Sequence, residues 1–295
     1  MAWRMLRGEQ GKGLTCSIAN PNVEAPEFNN TEKQLVFEHP TADHMQLLGT
    51  AKIMDQQIPL LSPASSAPCS IWRLTTAESS QCGGIFRQES MNMIVSKGME
   101  TEFAIRLTNS QGGPAFGGAD GMAFVIQAGD NNGAQLGEGV SGGCELGYGG
   151  IKNSLAIEFD TYDSSDRCAD PSPNHISIHA RLPPYGNSAH HDHSLKHTSA
   201  IPALNSGDWI YCRIRYLAAS QTLEVALKEA APSLSSSSLA SSNSYITVLT
   251  VNNLNLADYV SSQGSSSTCW VGFTASTGGL AQNHDVSWFS LYSYN

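Results

Sequence analysis

The feature that most limits what this chain can become is its rhythm of short apolar runs broken by turn residues. In METEFAIRLTN (99–109), Phe103, Ile105 and Leu107 fall on one side of an extended backbone and Glu102, Arg106 and Thr108 on the other. That period of two is the signature of a half-buried strand. Comparable runs recur as QLVFEH, MQLLGTAKIM, SIWRLTT, GIFRQESMNMI, GMAFVIQA, LAIEFDTY, HISIHA, WIYCRIRYLA, TLEVALKE, YITVLTV, CWVGFTAST and DVSWFSLYS. NLNLADYV has room for one helical turn, and no long amphipathic helix is present. Many short strands with Gly-rich turns predict an all-β sandwich or barrel.

Length and charge narrow the function. The 295 residues fit one β domain, with residues 1–33 as an irregular extension and 34–295 as the domain. The Ser-rich tracts near 231–244 and 261–268 are expected to be exposed loops, because strand patterning resumes after each. Charged residues make up only 14% of the chain and its formal net charge is −10. Such a surface repels phosphate backbones, which excludes nucleic acid as a natural partner. No apolar run reaches the ~18 residues of a membrane span. Arg4 and Arg7 are not followed by the apolar stretch of a signal peptide, so the chain reads as intracellular, or as a mature or incomplete form of an exported protein. The 7 cysteines contain no C-x-x-C; an odd number leaves at least one unpaired within the chain, and the pairing stays open. Cys212 is expected to pack inside a strand, and Trp72, Trp209, Trp270 and Trp288 to sit in the core.

The densest chemistry lies in LAIEFDTYDSSDRCADPSPNHISIH (155–179), with five carboxylates and two histidines. Alternation puts Leu155, Ile157 and Phe159 toward a core and Glu158, Asp160 and Tyr162 on the opposite face. In the next strand Ile176 and Ile178 turn inward, and His175, Ser177 and His179 turn the other way. If the two strands are antiparallel neighbours, the intervening loop, with Asp163, Asp166 and Asp170, folds back over Glu158, Asp160 and His175. Carboxylates crowded without a counter-charge suppress one another's ionisation, and a divalent cation removes that cost. Oxygen ligands suit Ca²⁺; an added imidazole suits Mn²⁺ or another transition metal. A solvated polar face fits the spacing equally well. HHDHSLKH (190–197) invites a zinc reading through His193 and His197, against which an ordinary solvated loop is the simpler expectation.

Four ordered stretches resemble the legume-type (L-type) lectins: GADGMAFVIQ (118–127), GGCELGYGG (142–150), the segment LAIEFDTY with DPSPNH, and WVGFTASTGGLAQNHDVSWFS (270–290). Weaker similarity extends the match over roughly residues 34–292 in family order. The resemblance implies an antiparallel two-sheet, jelly-roll-like sandwich of the concanavalin A-like type that binds glycans or glycoproteins reversibly, without catalysis. It implies a transition-metal site of Glu158, Asp160, Asp170 and His175. It also implies a Ca²⁺ site of Asp160, Asp170 and the carbonyl of Tyr162. Where the family carries a calcium- and sugar-binding Asn, this chain has Ser164 in a loop one residue longer, with Ser165, Asp163 and Asp166 as alternative donors. Sugar would meet the Asp120 carboxylate, the Gly143 N–H, the Tyr162 ring, Ser164, and Gly279 and Leu280. The Ala119–Asp120 peptide would be cis, as family members often hold it. Relatives belong to the secretory pathway or the cell exterior, and many form homo-oligomers.

Two rival functions stand beside this one. Glu158-Phe-Asp160-Thr-Tyr-Asp163 approximates the strand motif of sandwich glycosidases, with Glu158 and Asp163 as the acid pair. A lectin scaffold can also serve as an interaction module that binds no carbohydrate.

Overall fold

The computed structural model describes residues 33–38, 42–58, 69–91, 94–112, 117–128, 133–137, 143–229, 244–261 and 268–294. The expected N-terminal extension and most of both Ser-rich tracts lie outside these. In chain order the strands are β1 (Lys33–Glu38), β2 (Met45–Gly49), β3 (Lys52–Ile58), β4 (Cys69–Thr75) and β5 (Cys82–Arg87). They continue as β6 (Met99–Thr108), β7 (Gly121–Gln127), β8 (Ser154–Asp160), β9 (His175–Ala180) and β10 (Ser194–Thr198). The last five are β11 (Ile210–Leu217), β12 (Thr222–Glu229), β13 (Ile246–Val251), β14 (Trp270–Ser276) and β15 (Asn283–Tyr294). Single helical turns, α1 (Ile94–Lys97) and α2 (Ala257–Val260), are the α-helices of the described residues.

Two antiparallel sheets result. One runs β13-β12-β11-β6-β15-β4-β3, with β1 also paired to β15; the other runs β10-β9-β8-β7-β14-β5-β2. The alternation read in β6 is realised: Phe103, Ile105 and Leu107 are fully buried. They meet the inward face of the second sheet in an aromatic cluster. Phe103 lies 4.8 Å from Phe273 and 5.7 Å from Phe124, and Phe289 lies 5.0 Å from Phe273, in edge-to-face and offset contacts.

Three expectations change. MQLLGTAKIM is two strands in different sheets. At Gly49 the backbone takes φ +60°, and a Cβ there would sit 2.2 Å from the Cys82 carbonyl oxygen, so glycine permits the crossing. The end of GIFRQESMNMI turns into α1. Of the tryptophans, Trp72 and Trp270 are buried, but Trp209 and Trp288 are only half-buried, and the Arg106 guanidinium stacks 4.5 Å from the Trp209 ring. Cys212 is buried, as expected, and is unpaired.

The second sheet is covered on both faces, which is why β7, β8 and β9 are buried along their whole lengths. The outer cover is a smaller apolar cluster in which Leu146, Tyr148, Ile151, Cys168 and Ala189 close over Ala123, Val125 and Ala156. That cover, drawn from turns rather than strands, houses the polar chemistry.

Candidate functional site

Register sets the site. Gly121 pairs with Ser276 on one side and Asp160 on the other, and Asp160 pairs with His175. The ends of β14, β7, β8 and the start of β9 therefore stand level, and Asp120, Asp160, His175 and Thr277–Gly278 gather at one margin of the sheet. Gly121 allows the close approach, since a Cβ there would lie 2.6 Å from the Phe159 carbonyl oxygen. The Ala119–Asp120 peptide is cis. The Asp120 carbonyl accepts hydrogen bonds from the Thr161 N–H (3.0 Å) and hydroxyl (3.1 Å), which fixes the residue against the end of β8.

The Asp120 carboxylate is almost wholly buried, and its Oδ2 has no hydrogen-bond partner. Burial pushes its pKa up to about 7, with the Asp170 charge adding to the rise; the Arg167 guanidinium and the N–H groups of Gly143 and Gly278 pull against it. Gly143 takes φ +94° and its carbonyl accepts the Ser276 hydroxyl at 2.6 Å. Tyr162 is half-buried at the start of the loop. Gly278 lies against Asp120: a Cβ on it would be 3.0 Å from Oδ2, whereas a Cβ on Gly279 would meet open space. Leu280 is half-buried beside them in sequence.

Glu158, Asp160 and Asp170 stand near enough for the charges of Glu158 and Asp170 to act on Asp160, but Asp160 belongs to neither group of closely converging ligand atoms, and Glu158 and His175 fall in different ones. Glu158 accepts a 2.6 Å hydrogen bond from the Tyr148 hydroxyl and sits 2.9 Å from His179 Nε2. Asp160 Oδ1 accepts the Tyr162 N–H at 2.8 Å, and Asp170 Oδ2 the Ser164 N–H at 2.7 Å. Burial, then the charges of Asp170 and Glu158, push the Asp160 pKa well above the carboxylate range. Asp170 rises to about 6, mainly through burial. Glu158 goes the other way: burial opposes its charge, but His179 and Tyr148 outweigh it. Ser164 is buried, and its Oγ has no hydrogen-bond partner. Crowded buried carboxylates and a Ser164 oxygen without a partner are a donor set that a divalent cation could satisfy. Ligand atoms of Asp170, His175 and His191 lie within 4.8 Å of one another, as do those of Glu158, His179 and His191.

Several of these partners escaped the sequence reading. His179 was legible as facing the same way as His175 but had no assigned role. In HHDHSLKH the inward residue is His191, not His193 or His197. His191–His193 is a 3-10 turn, and β10 follows it as an edge strand on β9. With Leu195 its only large apolar residue, SLKHT carries no strand signal of its own. Cys144 and Cys168 form a disulfide that joins the glycine loop to the carboxylate loop. Asp163, the second acid of the glycosidase reading, is exposed, and its Oδ1 accepts the Ser165 N–H.

A carboxylate–imidazole cluster thus stands at one margin of the second sheet, beside the buried Asp120 carboxylate. The profile of the legume lectin β-barrel domain, the L-type lectin domain, matches residues 37–290, and the chain belongs to that family. Similar solved structures include peanut lectin with a 9mer peptide (18% identity over 90% of this chain and 99% of that one, TM-score 0.63). Winged bean acidic lectin complexed with methyl-α-D-galactose is 21% identical over 90% of this chain and 100% of its own, with TM-score 0.61. The exoplasmic/lumenal domain of VIP36 in its Ca²⁺/Man3GlcNAc-bound form is 16% identical over 90% and 91%, with TM-score 0.59.

Proposed function

We propose that this L-type lectin domain holds a glycan against Asp120 without catalysis. The observation that carries the reading is the buried Asp120 carboxylate with its unpartnered Oδ2, framed by the backbone N–H groups of Gly143 and Gly278. A sugar offers hydroxyl pairs and an apolar ring face. A fixed carboxylate accepts the first in charge-assisted hydrogen bonds, and an aromatic ring covers the second. Asp120 is the acceptor, Gly143 supplies an N–H, and Tyr162 lends its ring. Ser164, Gly279 and Leu280 line the rim and help select the sugar.

Asp160, Asp170, the Tyr162 carbonyl and Ser164 would hold Ca²⁺; Glu158, Asp160, Asp170 and His175 would hold Mn²⁺ or another transition metal. Bound cations supply the positive charge that lets these buried carboxylates ionise together. Glu158 is engaged by Tyr148 and His179, and Asp163 is turned to its own loop, which supports binding over hydrolysis. The Cys144–Cys168 disulfide and the likeness to a lumenal domain support a secretory or extracellular setting. Among the described residues no helix is long and apolar enough to cross a membrane.

A glycan array run with wild type and Asp120→Ala, each with and without Ca²⁺, tests this. Wild type binds a defined subset of glycans and the variant loses that subset. Equal binding by both moves the site elsewhere, and an array blank for wild type in Ca²⁺ removes the carbohydrate reading.

A further inference from the structure

The residues at the end of β14 hold the rim together. The Ser276 carbonyl accepts the Asp120 N–H at 3.0 Å, and the Ser276 hydroxyl donates to the Gly143 carbonyl at 2.6 Å. The Gly278 N–H bears on the Asp120 carboxylate, and the Gly278 backbone lies so close that a Cβ would stand 3.0 Å from Oδ2. Thr277, between these two, is fully buried. It turns to a segment with no assigned part in the site, residues 76–81, which join β4 to β5.

Thr277 and Gln81 are the next pair in the β14–β5 ladder, one step beyond Ser276 and Cys82. The Thr277 N–H donates to the Gln81 carbonyl at 2.9 Å, as a hydrogen-bonded antiparallel pair requires. The return bond leaves the ladder. The Gln81 N–H donates to the Thr277 hydroxyl oxygen at 2.9 Å, where a continuing strand would offer the Thr277 carbonyl. The same hydroxyl spends its one proton on the Glu78 carbonyl at 2.7 Å. A side-chain oxygen thus stands in for a backbone one, and the Thr277–Gly278 peptide is free to turn off the ladder. That peptide carries the Gly278 N–H, so its rotation decides whether this N–H meets Asp120. The Gly278 carbonyl is fixed in turn by the Ser80 N–H at 3.1 Å.

The Gln81 side chain makes the turn a firm anchor. Its Oε1 accepts from the Thr76 N–H at 2.7 Å and from the Thr76 hydroxyl at 3.0 Å, and its amide donates to the Glu78 carboxylate at 2.9 Å. The turn also grips the start of β15, where Asn283 Oδ1 accepts the Ala77 N–H at 2.9 Å. Both ends of the loop that carries Gly278 are therefore tied to residues 76–81.

We propose that Thr277, anchored by Gln81, is a positioning residue for glycan binding: its hydroxyl replaces a ladder carbonyl and so aims the Gly278 N–H at Asp120. The inference rests on the reading of Asp120 as the glycan acceptor, and it deepens that reading to how the rim is held in shape.

The test compares full-length wild type, Thr277→Val, Thr277→Ser and Gln81→Ala, with unfolding curves as the check on folding. Valine keeps the shape of threonine without the hydroxyl; serine keeps the hydroxyl. The readouts are the NMR resonance and hydrogen-exchange rate of the Gly278 amide, and affinity for the glycan that wild type binds best on the array. The inference expects Thr277→Val and Gln81→Ala to displace the Gly278 resonance and speed its exchange. Both should bind glycan about tenfold or more weakly, the scale of a lost hydrogen bond to a charged group. Thr277→Ser should match wild type in both readouts, whatever its change in stability. If folded Thr277→Val keeps either the wild-type Gly278 amide or the wild-type affinity, or if serine fails as valine does, the hydroxyl does not position the rim and the inference is overturned. If valine does not fold, Gln81→Ala decides by the same readouts. An array blank for wild type overturns the glycan reading, and Thr277's part in binding with it; a Gly278 amide unmoved in Thr277→Val overturns the inference alone.

Discussion

Asp120 is positioned from three sides: by Thr161 through its carbonyl, by Gly143 across the rim, and by Gly278 from the end of β14. The two adjacent glycines of the last loop therefore differ in consequence. Gly278→Ala forces a methyl to 3.0 Å from the Asp120 carboxylate and should weaken glycan binding; Gly279→Ala places its methyl in open space and should leave affinity nearly unchanged. Titration calorimetry on the two variants checks the contrast. Behind Asp120 runs a buried polar chain: His284 meets Thr75 at 2.6 Å and the Gln282 amide at 3.0 Å, and Gln282 donates to Thr161 at 2.6 Å. Burial pushes the His284 pKa down to about 3 from an ordinary 6.5. The unfolded chain therefore binds the proton more readily, and this residue's share of stability is intact above pH 6.5 and falls as pH drops toward 3. Between pH 7 and 5 the wild type should lose roughly 2 kcal/mol more than His284→Gln. Denaturant unfolding at the two pH values measures it, and parallel losses would deny His284 the role.

At the scale of elements, the β8–β9 hairpin and its covering turns act as one unit because the Cys144–Cys168 disulfide ties Gly143's loop to the loop that carries Asp170. Replacing both cysteines by serine should cost about 2 to 4 kcal/mol of stability, the usual range for a disulfide. It should also weaken glycan binding, since Gly143 is freed from the carboxylate loop. Unfolding curves and glycan titration separate the two effects; unchanged glycan affinity would leave the bridge a purely stabilising part. The hairpin was legible from residues alone: alternation sorted Ile157 from Glu158 and Ile176 from His175, and the antiparallel register follows it. His191 was not legible. It arrives from a polar turn 16 residues beyond His175, its direction set by backbone bonds to Cys168 and by Glu145, none of which leaves a local pattern. β10 was missed for the same reason, as an edge strand whose partner rather than its composition makes it a strand.

At the scale of the whole molecule, the sandwich was readable because strand periodicity and core burial coincide, as Phe103, Phe124 and Phe273 demonstrate. The split of MQLLGTAKIM between sheets was not readable, because an apolar run looks alike whether or not it crosses a glycine into the other layer. The fold stacks two covers on one sheet, so that the carboxylate–imidazole cluster and the Asp120 rim, the proposed cation and glycan sites, share the ends of β7, β8 and β14. The central claim is that the cluster shapes the rim. Calorimetric titration of an array-identified glycan into the protein, first metal-replete, then stripped by EDTA with loss verified by elemental analysis, then reloaded, tests it most directly. The account predicts affinity weaker by about tenfold or more when stripped, at least 1.4 kcal/mol, and restored on reloading. Equal affinity in all three states, with the protein folded throughout, would contradict it.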